Sequence, residues 1–252
     1  MLNKNFVKIV STIEARMTST RLPGKVLMIA GGKPLLQILI ERLTKSRLIN
    51  EIIVATTINK EDDVIIELCK SIGIKYFRGS ENNVLERVCG AARSANADIL
   101  VQITGDCPLI DPKIVDEAIE IFLERYPENK LISNTGPEIS MPAGFDVQVY
   151  MAEDLYEIND NNPDELEREH VSYAFYKEAN KNKYRPYHIK YKGELNRPDL
   201  RVTLDYESDY KLIRAIYEEL SKESEFFSAV EIIKWIDKNS GLMNSRLNIK
   251  KK

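Results

Sequence analysis

The chain is poor in the residues that build disulfide and transition-metal sites. Its 252 residues include two histidines and three cysteines, Cys69, Cys89 and Cys107. None of the cysteines forms a Cys-x-x-Cys pair, and their odd number argues against a disulfide framework. Free thiols are typical of a reducing compartment, so we expect a cytoplasmic protein.

Long hydrophobic runs are missing as well. No apolar stretch approaches the ~18 residues that a membrane-spanning helix needs. The first apolar stretch contains Lys8 and is followed by Glu14, a pattern that favours a strand over a signal peptide. We therefore expect neither a membrane span nor a membrane partner.

The chain also lacks an excess of charge of either sign. Lysine and arginine together number 36 and the acidic residues 39, which gives a net charge of −3. A protein with this balance has no general attraction for nucleic acid, so we expect no nucleic-acid partner. A site for a polyanion must then be a local cluster of cations.

What the sequence does contain is an alternation of strand and helix patterns up to about residue 134. Short β-branched runs at 6–13, 51–57, 74–77, 98–104 and 131–134 alternate with amphipathic repeats at 35–45, 62–71, 83–95 and 112–124. This order predicts an α/β fold with a mostly parallel sheet flanked by helices. The length suits one large domain, and we assign all of residues 1–252 to it.

The pattern changes after Gly144. Residues 145–150 alternate as a strand, and Asn162, Pro163 and Glu165 mark the start of a helix that we extend to about residue 179. Strand patterns at 187–191 and 200–204 and helical repeats at 212–220 and 230–237 follow. We interpret residues 140–195 as a small lobe inserted in the domain.

The inserted lobe is rich in large apolar side chains, among them Phe145, Val147, Val149, Tyr173, Phe175 and Tyr176. A small excursion of the chain cannot bury so many on itself, and large exposed apolar patches usually mark interfaces. We therefore expect a homodimer. The alternative is that these side chains all face the chain's own core.

The first strand leads into a loop rich in cations and hydroxyl groups. Its sequence, "EARMTSTRLPGK", carries Arg16, Arg21 and Lys25 among Thr18, Ser19 and Thr20. Loop amides together with arginine and lysine at a strand-to-helix turn can bind phosphate. Neither GxxxxGK[ST] nor GxGxxG occurs here, and a solvated basic loop is the alternative.

Two aspartates, Asp106 and Asp205, directly follow strand patterns. Ligands of parallel sheets bind at the carboxyl ends of strands, so both side chains can face the basic loop. Mg²⁺ typically takes one or two carboxylates plus substrate phosphates, which makes this pair a candidate metal site. We interpret the neighbouring Asp111 as a helix cap and Cys107 as a buried thiol.

The segment "IEARMTSTRLPGKVL" closely resembles the N-terminal signature of the SpsF-type cytidylyltransferases, which are relatives of the CMP-sialic acid and CMP-Kdo synthetases. Further similar segments follow in the same order: "FRGSENNVLERV", "ITGDCPLID", "GFDVQV", "EREHVSYA" and "RVTLDYESD". Together they extend over about residues 7–220. The resemblance implies a Rossmann-like nucleotidyltransferase fold with a smaller lobe for dimerisation and acceptor binding.

The resemblance also implies an activity. It implies transfer of CMP from CTP to a sugar acid or related acceptor, with release of pyrophosphate, for surface glycan or polysaccharide biosynthesis. The implied cofactor is Mg²⁺, with Mn²⁺ as the alternative. A second hypothesis is a nucleotidyltransferase that makes a CDP-linked product from a phosphate- or phosphonate-bearing acceptor, and a third is a non-catalytic nucleotide-binding protein.

Roles for individual residues follow from the same resemblance. The implied catalytic residues are Arg16, Lys25, Asp106 and Asp205, of which the two aspartates are the implied metal ligands. The implied nucleotide-binding residues are Ala15, Arg16, Ser19, Arg21, Lys25, Arg78, Ser80, Arg87 and Asp106. The implied acceptor-binding residues are Asp146, Gln148, Arg168 and His170.

The chain departs from the family pattern at four positions. Glu14 replaces a glutamine and adds a negative charge near the polyanion site, and Thr18 replaces a glycine and restricts the loop backbone. Asn83 stands where an aspartate is common, and Ala143 stands where the acceptor segment usually carries an aspartate. We expect these changes to affect acceptor choice and rate more than the fold.

Overall fold

A seven-stranded sheet with helices on both faces is the main feature of the computed structural model, which describes residues 7–136, 139–224 and 226–239. The strands are β1 (Ile9–Glu14), β2 (Ile29–Ala30), β3 (Lys33–Pro34), β4 (Glu51–Thr57), β5 (Lys75–Gly79), β6 (Ile99–Thr104), β7 (Leu131–Ser133), β8 (Gln148–Met151) and β9 (Tyr187–His188). The helices are α1 (Leu35–Leu43), α2 (Asp63–Ser71), α3 (Val84–Ser94), α4 (Pro112–Arg125), α5 (Ala152–Asp160), α6 (Glu165–Glu169), α7 (Tyr173–Tyr176), α8 (Lys181–Tyr184), α9 (Glu207–Leu220) and α10 (Ala229–Lys238).

The sheet is mostly parallel, as the alternation of strand and helix patterns predicts. Its strand order is β5-β4-β1-β6-β8-β7-β9, and β2 and β3 form a separate ribbon. Strands β5, β4, β1 and β6 pair in parallel, whereas β8 runs antiparallel to its neighbours β6 and β7. The carboxyl ends of β1, β4 and β6 therefore lie at one edge of the sheet, where ligands bind in folds of this class.

Successive residues of the central strands face opposite sides, so the sheet carries a hydrophobic layer on each face. On one face, Ile9, Ile13 and Val101 pack in one cluster with side chains of α1, α4, α9 and α10. On the other face, Val10 and Leu100 pack with side chains of α3, α5 and α7. Burial on both faces explains the nearly continuous apolar sequences of β1 and β6.

Most helix starts agree with the sequence patterns. Helices α1, α2, α3, α4 and α10 begin within one residue of the predicted positions. The first predicted strand begins later, at Ile9, and residue 6 lies outside the described residues. In the described part of the chain, no helix is long and apolar enough to cross a membrane.

The loop after β6 is fixed by two buried polar side chains. Asp111 caps α4, as predicted, by accepting from the backbone N–H of Lys113 at 2.9 Å, and it also accepts from the N–H of Ala229 at 2.8 Å. Arg42 of α1 is 1% exposed and donates to the carbonyl oxygens of Ile110 and Phe227, both at 2.7 Å. These bonds join α1, the start of α4 and the start of α10 around the segment that carries Asp106.

The helix predicted from Asn162 to about residue 179 is wrong, because two short helices, α6 and α7, take its place. Asn162 has a left-handed backbone conformation, with φ 55°, and does not cap a helix. The N-cap of α6 is Asp164, which forms a reciprocal capping box with Glu167. Helix α5 was not predicted. The strand predicted at 200–204 is not formed, because these residues make only a single bridge, between Arg201 and Ala143.

The segment at 140–195 buries most of its apolar side chains within the chain itself. Phe145, Val147, Val149 and Phe175 are fully buried in the two hydrophobic layers. Strand β8 lies inside the central sheet, and α5 and α6 pack against α3. The apolar content of this segment therefore gives no argument for a homodimer, because the residues concerned belong to the chain's own core. The homodimer stays a prediction.

Candidate active site

The basic loop of residues 15–25 is held rigidly at the carboxyl edge of the sheet. The backbone N–H of Ala15 donates to the carbonyl oxygen of Ala55 in β4, at 3.3 Å. The N–H of Met17 donates to Asp62 Oδ1 at 2.7 Å. Gly24 closes the loop with φ 70°, a conformation that favours glycine, and its N–H donates to the carbonyl oxygen of Met17 at 2.9 Å.

Lys25 brings Asp106 and Asp205 together. Its ammonium lies 3.1 Å from Asp205 Oδ1 and 3.5 Å from Asp106 Oδ2, and it donates to the carbonyl oxygen of Leu204 at 2.6 Å. The Lys25 side chain is 13% exposed. Two carboxylates from distant parts of the chain therefore face one cation, although only Asp106 follows a strand of the sheet.

Asp205 has further cationic partners. Arg21 Nη2 lies 2.6 Å from its Oδ1, and Arg201 donates to its Oδ2. Burial alone raises the pKa of Asp205, but the positive charges of Lys25 and Arg201 outweigh burial and lower it. The carboxylate is therefore ionised at neutral pH. Asp106 is tied to the same region because its carbonyl oxygen accepts from the N–H of Leu204 at 2.8 Å.

Arg16 and Thr18 are turned towards Glu81. Arg16 Nη1 lies 3.4 Å from Glu81 Oε1, and the Thr18 hydroxyl donates to the same oxygen. Hydrogen bonds from Thr18 and Asn59 lower the pKa of Glu81. The Thr18 backbone is outside the left-handed region, so replacement of a glycine causes no strain here. Ser19 is partly exposed in the same loop.

The residues assigned to the nucleotide base and ribose have structural contacts. Arg78 donates to the carbonyl oxygens of Thr57 and Asn59, at 2.9 and 2.8 Å. Arg87 is buried, which lowers its pKa, and donates to the carbonyl oxygen of Ser80. These arginines fix the backbone after β4 and β5, and their contact with a nucleotide stays a prediction.

A crevice of about 370 Å³ lies close to Asp106, because one of its lining residues, Thr104, donates a hydrogen bond to the Asp106 carboxylate. Three of the four predicted acceptor residues, Asp146, Gln148 and His170, line it together. Burial, and next the proximity of Asp106, raises the pKa of Asp146 to about 6. At pH 7 Asp146 is nevertheless mostly ionised, so it contributes negative charge to this polar crevice.

Arg168 is placed elsewhere. Its side chain is exposed, and its Nη2 lies 3.5 Å from Asn162 Oδ1. It lines a shallow surface pocket with Asn83 and Glu86, not the crevice that contains His170. Arg168 lies on α6, whereas His170 follows the helix with an extended backbone. The structure does not bring Arg168 to the other predicted acceptor residues.

Glu14 and Gln102 are among the crevice residues that were not predicted as functional. Burial raises the pKa of Glu14 to about 8, so its carboxyl group is neutral at pH 7. The expectation that Glu14 adds a negative charge to the site is therefore wrong at neutral pH. Gln102 has a visible sequence signal, because it is a polar residue within the apolar run of β6.

The other two departures from the family pattern are structural in this chain. Asn83 caps α3 by accepting from the N–H of Glu86 at 3.1 Å, and asparagine caps as well as aspartate does. Ala143 hydrogen-bonds through its backbone, donating to the carbonyl oxygen of Leu200 at 3.2 Å. Neither residue lines the crevice.

The donor set of the site suits a hard divalent cation. Asp106 and Asp205 already share a cation, the Lys25 ammonium, so both carboxylates face a common point. Within the described ranges, no group of three or more histidine, cysteine or acidic side chains is arranged to hold a metal. Two carboxylates match Mg²⁺, which completes its shell with water and substrate phosphates and seldom uses an all-protein cage.

Comparisons with known proteins agree with this geometry. A family model described as "Cytidylyltransferase" matches residues 10–233. The spore coat polysaccharide biosynthesis protein SpsF of Bacillus subtilis is 30% identical over 239 residues, which cover 93% of this chain and 96% of that protein. A 3-deoxy-manno-octulosonate cytidylyltransferase of Geobacter metallireducens is 38% identical over 115 residues, 45% of this chain and 44% of that protein.

A solved structure leads to the same family. A cytidylyltransferase from Leptospira borgpetersenii has a TM-score of 0.85 and 33% sequence identity, and the match covers 94% of this chain and 96% of that chain. The matched range of the family model includes the basic loop, Asp106 and Asp205. The chain therefore belongs to the cytidylyltransferase family and is a CTP-dependent nucleotidyltransferase.

Proposed function

We propose that this enzyme transfers CMP from CTP to a sugar acid, with release of pyrophosphate, in the biosynthesis of a surface glycan or polysaccharide. The observation that carries the proposal is the Lys25 ammonium between Asp106 and Asp205, beside a polar crevice. The names of two relatives support the acceptor class, since one acts on 3-deoxy-manno-octulosonate and the other belongs to polysaccharide biosynthesis.

The triphosphate would bind along the basic loop. Lys25 is fixed by three contacts and offers a positive charge at a defined point. Arg21 is 52% exposed and Arg16 42% exposed, so both can reach phosphate oxygens while they keep their present carboxylate partners nearby. These cations would stabilise the negative charge that develops on the departing pyrophosphate.

Asp106 and Asp205 would hold the implied Mg²⁺ ion. When bound, such an ion supplies Lewis-acid polarisation of a phosphoryl oxygen. The loop backbone and the bonds from Leu204 and Lys25 keep the two carboxylates in position. The crevice lined by Asp146, Gln148 and His170 would orient the acceptor beside the phosphate site.

Pyrophosphate release from CTP tests this proposal. The purified protein is assayed with Mg²⁺, with Mn²⁺ and with chelator, and with a panel of keto-acid sugars and phosphorylated small molecules. We expect release with Mg²⁺ and a sugar acid, and a loss of at least a hundredfold in Asp106→Asn and Asp205→Asn. Asp199→Asn is the control, because Asp199 is exposed and pairs with Arg197 away from the site.

Three outcomes would contradict the proposal. Near-normal rates in both site variants would remove the two aspartates from the reaction. Release with a phosphorylated acceptor alone would favour a CDP-linked product. No release with any acceptor, together with measurable CTP binding, would favour a nucleotide-binding protein without catalysis. Light scattering at micromolar concentration tests the separate prediction of a homodimer.

A further inference from the structure

The oxygens that would hold the metal ion already bind a cation of the chain itself. The Lys25 ammonium is 3.1 Å from Asp205 Oδ1 and 3.5 Å from Asp106 Oδ2. It also donates to the carbonyl oxygen of Leu204 at 2.6 Å. Two carboxylates and one carbonyl thus meet at a single lysine, although oxygen ligands of this kind also suit Mg²⁺.

Both carboxylate oxygens of Asp205 have cationic partners. Arg21 Nη2 lies 2.6 Å from Oδ1, the oxygen that also faces Lys25, and Arg201 donates to Oδ2. The Asp205 side chain is only 9% exposed. Three cations therefore compete with a metal ion for the same carboxylate.

A magnesium ion cannot share Asp205 Oδ1 with these partners. Mg²⁺ binds oxygen at about 2.1 Å and needs an octahedral shell of ligands around it. The Lys25 ammonium and the Arg21 guanidinium approach the same oxygen, so they take up part of that shell and repel the doubly charged ion. Both groups must move away before the ion can bind.

The three cations differ in their attachment. Lys25 and Arg21 belong to the basic loop, and Arg21 is 52% exposed. Arg201 lies in the same segment as Asp205, four positions before it, and its Nη2 is also 3.5 Å from Asp209 Oδ2. A ligand on the basic loop can therefore draw away Lys25 and Arg21, while Arg201 keeps its contact with Asp205.

A bound triphosphate offers the two loop cations new partners. It carries more negative charge than one carboxylate, and lysine and arginine both bind phosphate oxygens. When Lys25 and Arg21 turn to the phosphates, Asp205 Oδ1 and Asp106 Oδ2 are released together. Phosphate oxygens then complete the shell of the metal ion.

We propose that Lys25, together with Arg21, is the counter-ion of the two aspartates in the nucleotide-free enzyme and passes to the triphosphate when CTP binds, so that a divalent cation binds well only together with the nucleotide. This inference rests on the proposed function in one point, the assignment of the metal site to Asp106 and Asp205. It does not depend on the acceptor. Since such coupling is reciprocal, the ion in turn strengthens CTP binding.

Manganese binding to the nucleotide-free protein tests the proposal without turnover. Mn²⁺ alone is titrated into the full-length protein, and the free ion is measured by electron paramagnetic resonance. Lys25→Met keeps an unbranched side chain and removes its charge, so the Mn²⁺ dissociation constant should fall at least ~10-fold below that of wild type. Arg21→Gln should lower it by a smaller factor, since Lys25 remains in place.

Three controls accompany this measurement. Lys25→Arg retains the charge and should keep the weak Mn²⁺ binding of wild type. Arg214→Gln removes a charge of equal exposure, because Arg214 is also 52% exposed but pairs with Glu218 on α9, and it should leave Mn²⁺ binding unchanged. Lys25→Met combined with Asp205→Asn should lose the gain, because the released ligand is missing.

Calorimetric titration with CTP in the presence of chelator follows the other half of the exchange. Lys25→Met should weaken the binding of metal-free CTP at least ~10-fold, because the phosphates lose a cationic partner. Arg214→Gln should bind CTP as wild type does. Opposite changes in the affinities for Mn²⁺ and CTP cannot arise from damage to the fold, which would weaken both.

Two results would overturn the proposal. One is unchanged or weaker Mn²⁺ binding in both Lys25→Met and Arg21→Gln, and the other is equally tight Mn²⁺ binding by the wild type with and without CTP. If Asp106→Asn and Asp205→Asn lose pyrophosphate release while Lys25→Met gains no affinity for Mn²⁺, the metal site stands and the exchange fails. If Lys25→Met gains that affinity but no sugar acid is turned over, the exchange stands and the acceptor class fails.

Discussion

At the scale of single residues, the site depends on how burial and neighbouring charge set the ionisation of each acid. Asp205 is kept ionised by Lys25 and Arg201, whereas Glu14 is kept neutral by burial. The two carboxyl groups thus differ in ionisation at neutral pH. The difference arises from their surroundings and not from the residue type.

This reasoning predicts the pH dependence of stability in Glu14→Gln. The folded-state pKa of Glu14 is raised, so the unfolded chain loses the proton first, and the wild type loses stability as pH rises from about 4.5 to about 8. The variant has no such loss. The unfolding free energy of Glu14→Gln, relative to that of the wild type, should rise by at most ~1.4 kcal/mol per pH unit between these two pH values and stay constant above them.

Urea denaturation at pH 5, 6.5, 8 and 9.5 measures this difference. Glu81→Gln is the control, because the pKa of Glu81 is lowered and not raised in the folded protein. The contribution of Glu81 to the unfolding free energy should therefore stay constant over this pH range. A stability difference for Glu14→Gln that does not change with pH would show that Glu14 is ionised in the folded protein.

The residues that met at the site were predictable to different degrees. Lys25 and Asp106 follow from one rule, because the carboxyl ends of parallel strands share an edge. Asp205 reaches the same place although the strand predicted before it is not part of the sheet. The raised pKa of Glu14 does not follow from that rule. It depends on the burial of the Glu14 side chain and on its hydrogen bond from Gln102, which only the packing of β1 and β6 defines.

At the scale of elements, the long regular ones were predictable and the short ones were not. Strand β4 and helix α4 have clear patterns and caps, and both were placed correctly. Helices α6, α7 and α8 have four or five residues each, so tertiary contacts and not local propensity determine them. For this reason the sequence did not predict that Arg168 lies outside the crevice, because the direction of its side chain depends on where α6 begins and ends.

Asp111 gives a prediction at this scale, because it caps α4 and also binds the first N–H of α10. Asp111→Ala removes both bonds and should lower the unfolding free energy by about 2 kcal/mol, at the upper end for a helix cap. Asp111→Asn keeps one acceptor oxygen for the N–H of Lys113 but puts an NH2 group where Oδ2 accepts from Ala229, so we expect an intermediate loss. Urea denaturation compares the three proteins, and equal losses in both variants would show that the cap of α4 contributes nothing.

At the scale of the whole molecule, the site joins the two ends of the described chain. Arg21 and Lys25 from the first loop meet Asp205, about 180 positions later, and Arg42 donates to Ile110 and to Phe227 near α10. Residues that would bind the substrates thus also connect the loop after β1 to the segment before α9. Loss of a site residue should therefore cost stability as well as activity.

Asp205→Asn tests this coupling against an exposed pair. Asp205 is 9% exposed and has three cationic partners, so its loss leaves charges partly buried without a counter-charge. We expect the unfolding free energy to fall by about 2 kcal/mol at pH 7, against less than ~0.5 kcal/mol for Asp199→Asn, whose carboxylate is 59% exposed beside Arg197.

The pH dependence of the same variant gives the sign of the effect. The folded-state pKa of Asp205 is lowered, so its stabilisation is fully present above the ordinary value of 3.8 and is lost as pH falls below it. The deficit of Asp205→Asn should be the same at pH 7 and pH 5 and smaller at pH 3. A deficit no larger than that of Asp199→Asn at pH 7 would mean that the cations around Asp205 contribute to substrate binding without holding the two ends of the fold together.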